Sequence, residues 1–418
     1  MSKIAIIGAG AAGMFCAVHA ARNGHEVHVL EKNEKCGKKL YITGKGRCNL
    51  TNACSTEELF PAVVSNPKFL YSAFYTCTNR DVMDFFEDAG VSLKTERGGR
   101  VFPVSDHSSD IIRVLEREMK KAGVQVFLHT EVERILTENG FVQGVLLKNG
   151  QKCFYDAVIV ATGGCSYQTT GSTGDGLRFA AELGMKVTEP RPSLVPLLTA
   201  EEYIPCLQGL SLKNVGLSIY QGKKKLYEDF GELLFTHFGV TGPMILSASA
   251  RIGKKLEKGF LNAYLDLKPA LTEEQLDARI LREFEEAKNK QFKNVIGVLF
   301  PASLTPVMLE LGGISPDKRI HDISREERLA FVRLIKAFPF TITGTGEFKE
   351  AIITSGGVSV KEICPGTMEA RKIKNLYFIG EVLDVDAVTG GYNLQIAWST
   401  AYLAASAIEE NTKNLKEK

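Results

Sequence analysis

Gly8-Ala9-Gly10-Ala11-Ala12-Gly13 lies between a short β-branched run, Lys3 to Ile7, and an alanine-rich stretch of helical spacing, Ala11 to Asn23. A second alternating run, Glu26 to Leu30, follows, and Glu31 ends it eighteen residues after Gly13. Strand, glycine turn, helix and strand in this order form a βαβ unit, which commits the chain to a parallel sheet. Gly8 permits the tight turn, Gly10 lets the backbone approach a pyrophosphate, and Gly13 lets the helix pack on the strand. The free N–H groups of the helix start, over Ala11 and Ala12, favour negative charge, and Glu31 is expected to accept hydrogen bonds from a ribose diol. The pattern predicts a dinucleotide site.

The choice of dinucleotide comes from two later strand ends, Val158-Ile159-Val160-Ala161-Thr162-Gly163-Gly164 and Phe378-Ile379-Gly380-Glu381. In a two-part flavin domain the chain leaves after the first and returns at the second, so both stand beside the βαβ unit at the carboxyl ends of the parallel strands. A simple NAD domain lacks this return. Asp384, Asp386 and Gly390-Gly391-Tyr392-Asn393-Leu394 then lead into a C-terminal helix, expected over Asn393 to Glu410, whose free N–H groups suit the N1–C2=O edge of a flavin. An ordinary glycine loop with a helix cap is the structural alternative. The loop from Thr162 through Thr173-Gly174-Asp175-Gly176 suits close approach to an isoalloxazine ring. Thr43-Gly44-Lys45-Gly46-Arg47-Cys48-Asn49 offers cations and amides to a pyrophosphate or an anionic substrate edge, or is a solvated loop. With these, Lys32, Lys39 and Val132 complete the residues expected to hold FAD.

Other chemistries are weaker. Cys48 and Cys54 are separated by five residues, and the chain has no Cys-x-x-Cys, so packing cysteines are expected rather than a redox pair. No two histidines fall at ligand spacing with a third group, and no metal is expected. His237, in Leu234-Phe235-Thr236-His237-Phe238, could titrate near neutrality as a proton donor, or be structural.

The chain has 418 residues, long enough for two or three domains. Its texture changes near Pro192-Ser193-Leu194-Val195-Pro196 and again near Thr343-Gly344. The expected division is therefore 1–191, the first part of the FAD domain; 192–343, an inserted substrate domain; and 344–418, the second part. Strands are expected at Leu212–Tyr220 and Gly231–Phe235 and a helix over Thr272–Asn289, opened by the capping box Thr272-Glu273-Glu274-Gln275. Residues 411–418 read as a charged, frayed tail. The net charge of +2 indicates neither a nucleic-acid groove nor an acidic-membrane surface, leaving small molecules as the expected partners, with the oligomeric state open. Met1-Ser2-Lys3 runs into apolar residues and glycines without a signal-peptide h-region, and no run of eighteen apolar residues exists. Nine scattered cysteines, an odd number, suggest reduced thiols in a cytoplasm.

Taken together, Gly8–Gly13, Gly44–Asn49, Gly99-Arg100-Val101-Phe102-Pro103, Leu234–His237, Thr354-Ser355-Gly356-Gly357-Val358 and Gly380-Glu381 through Asn393-Leu394-Gln395 resemble the BaiN-type family of FAD-dependent oxidoreductases over nearly the whole chain. The resemblance implies an α/β fold: a split Rossmann-like FAD-binding domain with an inserted substrate domain that combines a β-barrel-like part with helices. The Thr162–Gly176 loop also resembles that of fumarate-reductase-type and ketosteroid-dehydrogenase flavoproteins. Family members have been assigned reduction of 3-oxo-Δ4,6 bile-acid intermediates and, in another branch, amine oxidation of the aminoacetone-oxidase kind. The leading expectation is reduction of a conjugated C=C bond with NADH or NADPH as transient donor, a 3-oxo-Δ4,6 bile acid being the sharpest candidate. His237, Tyr392 and Tyr167 are the candidate proton donors. An amine oxidase releasing peroxide, and a noncatalytic or RNA-associated flavoprotein, are the alternatives. No second G-x-G-x-x-G exists to hold a nicotinamide, since Gly344-Thr345-Gly346 is too short.

Overall fold

Ile4, Ala5, Ile6 and Ile7 are all buried because their strand, Lys3–Ile7, lies third of five in a wholly parallel sheet. The order is Leu376–Phe378, Ala157–Val160, Lys3–Ile7, Glu26–Leu30, Gln125–Phe127, with Ile6 opposite Ile159 and Val29 opposite Val126. The computed structural model describes residues 1–416, with side chains through residue 408. Helix Ala11–Arg22 packs on the C-terminal helix, Tyr392–Lys416, where the rings of Phe15 and Trp398 lie 5.3 Å apart. That C-terminal helix starts one residue before Asn393 and runs past Glu410; the tail expected at 411–418 falls outside the residues whose side chains are described.

The chain divides into two compact units, residues 1–193 with 348–418, and residues 194–347. In the first, the exit strand Val187–Ser193 pairs antiparallel with the return strand Ile353–Val358, which keeps both ends of the excursion together. A small antiparallel sheet, Thr51–Asn52, Arg100–Pro103 and Leu93–Glu96, fastens the segment after the βαβ unit, and Trp398 Nε1 donates to Leu50 O at 2.9 Å beneath it. A three-stranded meander, Val132–Glu138, Phe141–Leu147 and Lys152–Phe154, completes the unit. The first and third of its strands, Val132–Glu138 and Lys152–Phe154, were not expected.

The second unit is built around a closed six-stranded barrel: Leu197–Thr199, Gly239–Thr241, Lys224–Phe235, Ser211–Gln221, Leu261–Asp266 and Phe338–Thr345. Alternation decides which side chains face its interior; Leu261, Ala263 and Leu265 are buried while Asn262 and Tyr264 are exposed. Helix Pro243–Leu256 contributes Met244, Ile245, Ala248 and Ile252 to the core. Helices Glu273–Glu285 and Arg325–Lys336 add Leu276, Ile280, Phe331 and Ile335, and the capping box at Thr272 and Gln275 is formed. The strand expected at Gly231–Phe235 begins earlier, at Lys224, because its first half closes a hairpin with Ser211–Gln221. Leu197 and Leu198 pair with Thr345 and Gly344, so the barrel carries the excursion beyond residue 343 and the return begins at Phe348.

Candidate active site

Four of the five strands of the parallel sheet end at Ile7, Leu30, Val160 and Phe378, and the residues that follow each of these converge. Gly8 adopts φ +103°, and a Cβ there would lie 2.7 Å from Ala161 O. A Cβ on Gly13 would stand 1.9 Å from Gly8 O, so helix and turn touch through backbone alone. Gly10 is different, since nothing lies within 4 Å of where its Cβ would be. It precedes a helix with no side-chain cap and no acid in its first turn, over Ala11 and Ala12, leaving an open, electropositive cradle. Glu31 is buried beside it: Oε2 accepts from Ala9 N at 2.7 Å and Oε1 from Asn33 N at 2.8 Å. Oε1 also accepts from Asn33 Nδ2 at 2.7 Å, so it is Oε2 that keeps acceptor capacity for a diol. Val132 begins the strand that follows Thr130, whose N–H donates to Glu31 O at 2.8 Å. The space, the helix start and the acid fit the ADP half of FAD.

Lys32 Nζ contacts Thr173 Oγ1 at 2.6 Å and Asp175 Oδ2 at 2.5 Å, tying the first acidic loop to the segment after Val160. Lys39 Nζ reaches Ser166 Oγ at 2.6 Å and Glu381 Oε2 at 2.7 Å, and Glu381 Oε1 also accepts from Thr354 N at 2.9 Å. A half-buried ion pair thus joins the βαβ unit to both later strand ends. Gly164 must be glycine, because a Cβ would stand 2.4 Å from Thr354 Oγ1; its neighbour Gly163 has φ +72°. Thr162 Oγ1 is buried without a hydrogen-bond partner among the described residues. Gly380, at φ +71°, is pressed against Ala12, whose Cβ would be 2.9 Å from an added one.

At the start of the C-terminal helix, a Cβ on Gly391 would lie 2.3 Å from Thr51 O. Asn393 Oδ1 accepts from Ala387 N at 2.9 Å, and its Nδ2 donates to Ala387 O at 2.8 Å, so this side chain shapes the preceding loop. Leu394 packs half-buried against the core. Asp386 is fully buried, its carboxylate near the hydroxyls of Ser193 and Ser355. With its amide turned to satisfy both ends, Asn49 accepts from Gly391 N at 3.0 Å and donates to Thr51 O at 3.1 Å. Arg47 is not a spare cation. Its guanidinium lies 2.5 Å from Glu96 and 2.6 Å from Asp106 and stacks on the Phe102 ring at 4.2 Å. Those two carboxylates hold its proton more tightly than usual, and Lys94 and Arg47 hold Asp106 below the ordinary carboxylate range. Sequence spacing gave no sign of these partners, 49 and 59 residues away.

Tyr392 lies beside Cys54, and burial raises its phenol to about 12, followed by the influence of Cys54 and Glu58, so it keeps its proton at neutral pH. Tyr167 sits in the left-handed region, φ +54°, with Lys39 Nζ 5.9 Å from its ring, and burial raises its phenol too. Both belong to the first unit. His237 belongs to the second, exposed on the turn between two barrel strands with Phe238 at 4.8 Å. Cys48 and Cys54 are free thiols; burial lifts Cys48 to about 12 and raises Cys54, which leaves neither as a thiolate. Among the described residues no three His, Cys, Asp or Glu side chains gather as metal ligands, and no helix is long and apolar enough to cross a membrane.

The model of the HI0933-like protein Rossmann domain matches residues 2–407. The chain is 34% identical to a ribosomal RNA dihydrouridine synthase of Haemophilus influenzae, covering 97% of this chain and 98% of that protein. It is 31% identical to a 3-dehydro-bile acid delta(4,6)-reductase of Clostridium scindens, covering 98% and 100%. Among solved structures, a 3-ketosteroid-delta4-(5alpha)-dehydrogenase from Rhodococcus jostii superposes with TM-score 0.53 at 14% identity, covering 98% of this chain and 96% of that one. That likeness is one of fold. Family, fold and cradle agree on an FAD-dependent oxidoreductase.

Proposed function

We propose, from the premise that this chain belongs to the HI0933-like Rossmann-domain family, that it reduces a carbon–carbon double bond conjugated with a carbonyl. One observation carries this: two relatives of nearly equal identity and almost full coverage have names that describe the same bond change. A Δ4,6-reductase saturates a double bond in a chain of conjugation ending at a ketone, and dihydrouridine is uridine whose C5=C6 bond, conjugated with the C4 carbonyl, has been reduced. When bound, FAD supplies the hydride chemistry that either change requires.

The chain's own residues hold and orient. The Gly8–Gly13 backbone and the helix start at Ala11 and Ala12 stabilise a pyrophosphate, and Glu31 takes the ribose hydroxyls. Lys32, Lys39, Thr162, Gly163, Gly164, Gly380 and Glu381 would hold the flavin half of FAD, and Val132 would stand at the adenosine end. Gly391, Asn393 and Leu394 direct the start of the C-terminal helix toward anionic charge, with Asn49 fixing Gly391. Cys48, Arg47 and Asp386 act through the backbone they anchor. Tyr392, protonated at neutral pH, donates a hydrogen bond to a carbonyl oxygen, with Tyr167 and His237 as the other candidate donors. NADH or NADPH supplies the electrons by transient binding, since the parallel sheet carries one glycine-rich βαβ turn.

We take the uracil ring of ribosomal RNA as the first substrate, because dihydrouridine synthases of Haemophilus influenzae and Escherichia coli align at 34% and 32% identity over 97% and 96% of the chain. The 3-oxo-Δ4,6 bile acid is the second, favoured by the relative whose whole length is covered. The test is to incubate the FAD-loaded protein and NAD(P)H, without oxygen, with unmodified ribosomal RNA or the bile acid. A gain of two hydrogens in either product supports a reductase and identifies its substrate. Neither product, with peroxide formed from a small amine in air, makes the protein an oxidase.

A further inference from the structure

We propose that the lysine-rich end of the barrel in the second unit is a docking surface for the phosphate backbone of folded RNA, an inference that rests on the uracil reading. Three segments build this end. Tyr220 pairs with Lys225 and Gln221 with Lys224, so the hairpin turns at Gly222, φ +57°. Tyr220 also pairs with Asn262 on its other side, which brings Phe260 and the turn before it against the hairpin tip. Helix Pro243–Leu256 runs back along the Lys224–Phe235 strand: Met244 Cβ is 3.4 Å from where a Gly231 Cβ would stand, and the charge of Arg251 acts on Tyr227. Its last turn therefore reaches the same end.

Lys223, Lys224, Lys225, Lys254, Lys255 and Lys258 converge there, all exposed. Among the described residues only Lys225 has a carboxylate within ion-pair distance, Glu228 at 3.0 Å. Lys254 and Lys255 complement the helix dipole, which accounts for two of the six. The other four charges stand on the hairpin and the turn before Phe260, where mutual repulsion is offset when a polyanion binds. Phe260, 70% exposed, stands beside them, and the rings of Tyr220 and Tyr264 meet at 5.9 Å on the outer barrel wall. Cations with exposed aromatic faces match RNA, which offers both phosphates and unstacked bases. A bilayer is a poorer match, because the helix beside the patch turns its apolar residues Met244, Ile245, Ala248 and Ile252 into the barrel core.

The experiment measures binding of the full-length, FAD-loaded protein to a fluorescent ribosomal RNA hairpin across a salt series. The Lys223→Gln, Lys224→Gln, Lys258→Gln triple variant is expected to bind at least about ten-fold more weakly near 0.15 M salt, with the log–log salt slope reduced by about 2. A second triple variant on the same unit, Lys288→Gln, Lys290→Gln, Lys293→Gln, removes equal charge elsewhere and is expected to bind like the unmodified chain. FAD content and melting temperature establish that both variants are folded. Equal losses in the two variants, no loss in either, or binding by the unmodified chain to anionic phospholipid vesicles and not to RNA would overturn the proposal. Patch-dependent RNA binding without uridine reduction would keep the surface and refute the uracil substrate; uridine reduction unaffected by the patch would do the reverse.

Discussion

Gly8, Gly10 and Gly13 share a motif but not a physical role. At Gly8 and Gly13 a side chain would collide with backbone at 2.7 and 1.9 Å, so glycine there serves the fold; at Gly10 the space is open, so glycine there serves whatever fills it. Gly10→Ala is therefore expected to leave the apoprotein within about 0.5 kcal/mol of its original stability while weakening FAD binding about ten-fold or more. Urea titration of the apoprotein and FAD titration by fluorescence read the two effects separately. Unchanged FAD affinity would mean that Gly10 does not face the cofactor. The placement of Glu31 beside Ala9, at the head of the βαβ turn, was legible in the spacing of the motif. Arg47 was not, because its stacking on Phe102 and its bonds to Glu96 and Asp106 depend on a hairpin that brings distant positions together.

Elements were legible where one periodicity dominated. The strands around Ile6, Ile159 and Phe378 are continuous apolar runs, and the capping box at Thr272 marks its helix start. The strand Val132–Glu138 escaped notice because four of its seven residues are exposed and charged or polar. The packing of helix Ala11–Arg22 on the C-terminal helix has a pH signature. His19 lies among Phe15, Phe85 and Tyr402, and burial, then Arg22, lowers it from 6.5 to about 4. A folded-state value below the unfolded one means that the unfolded chain takes up the proton first as pH falls. Stability conferred by the neutral ring is fully present above pH 6.5 and is lost between there and about pH 4. Replacing His19 by Leu is expected to remove about 1–3 kcal/mol of the stability loss seen between pH 7 and pH 4.5 in urea unfolding. An identical pH dependence in the variant would show that His19 is not buried neutral.

At the scale of the whole molecule, the net charge of +2 says little about RNA, because charge is distributed unevenly: Lys223, Lys224, Lys225, Lys254, Lys255 and Lys258 of the second unit stand at one barrel end. The closed barrel was legible only through family resemblance, since short strands such as Leu197–Thr199 carry almost no pattern of their own. Gly346 N donates to Pro196 O at 2.9 Å, so the ends of the second unit are neighbours. With its own apolar core, a fragment of residues 194–347 is expected to unfold cooperatively in urea and bind no FAD; a non-cooperative transition would show that its core depends on the first unit. The central claim, that this chain, loaded with FAD, reduces a conjugated double bond, is tested most directly by single-turnover stopped flow without oxygen. The protein is reduced with NADH or NADPH and mixed with unmodified ribosomal RNA or a 3-oxo-Δ4,6 bile acid. Rapid return of oxidised flavin absorbance with one of them is the predicted result; flavin that stays reduced with both, and returns only on admitting O2, would contradict it.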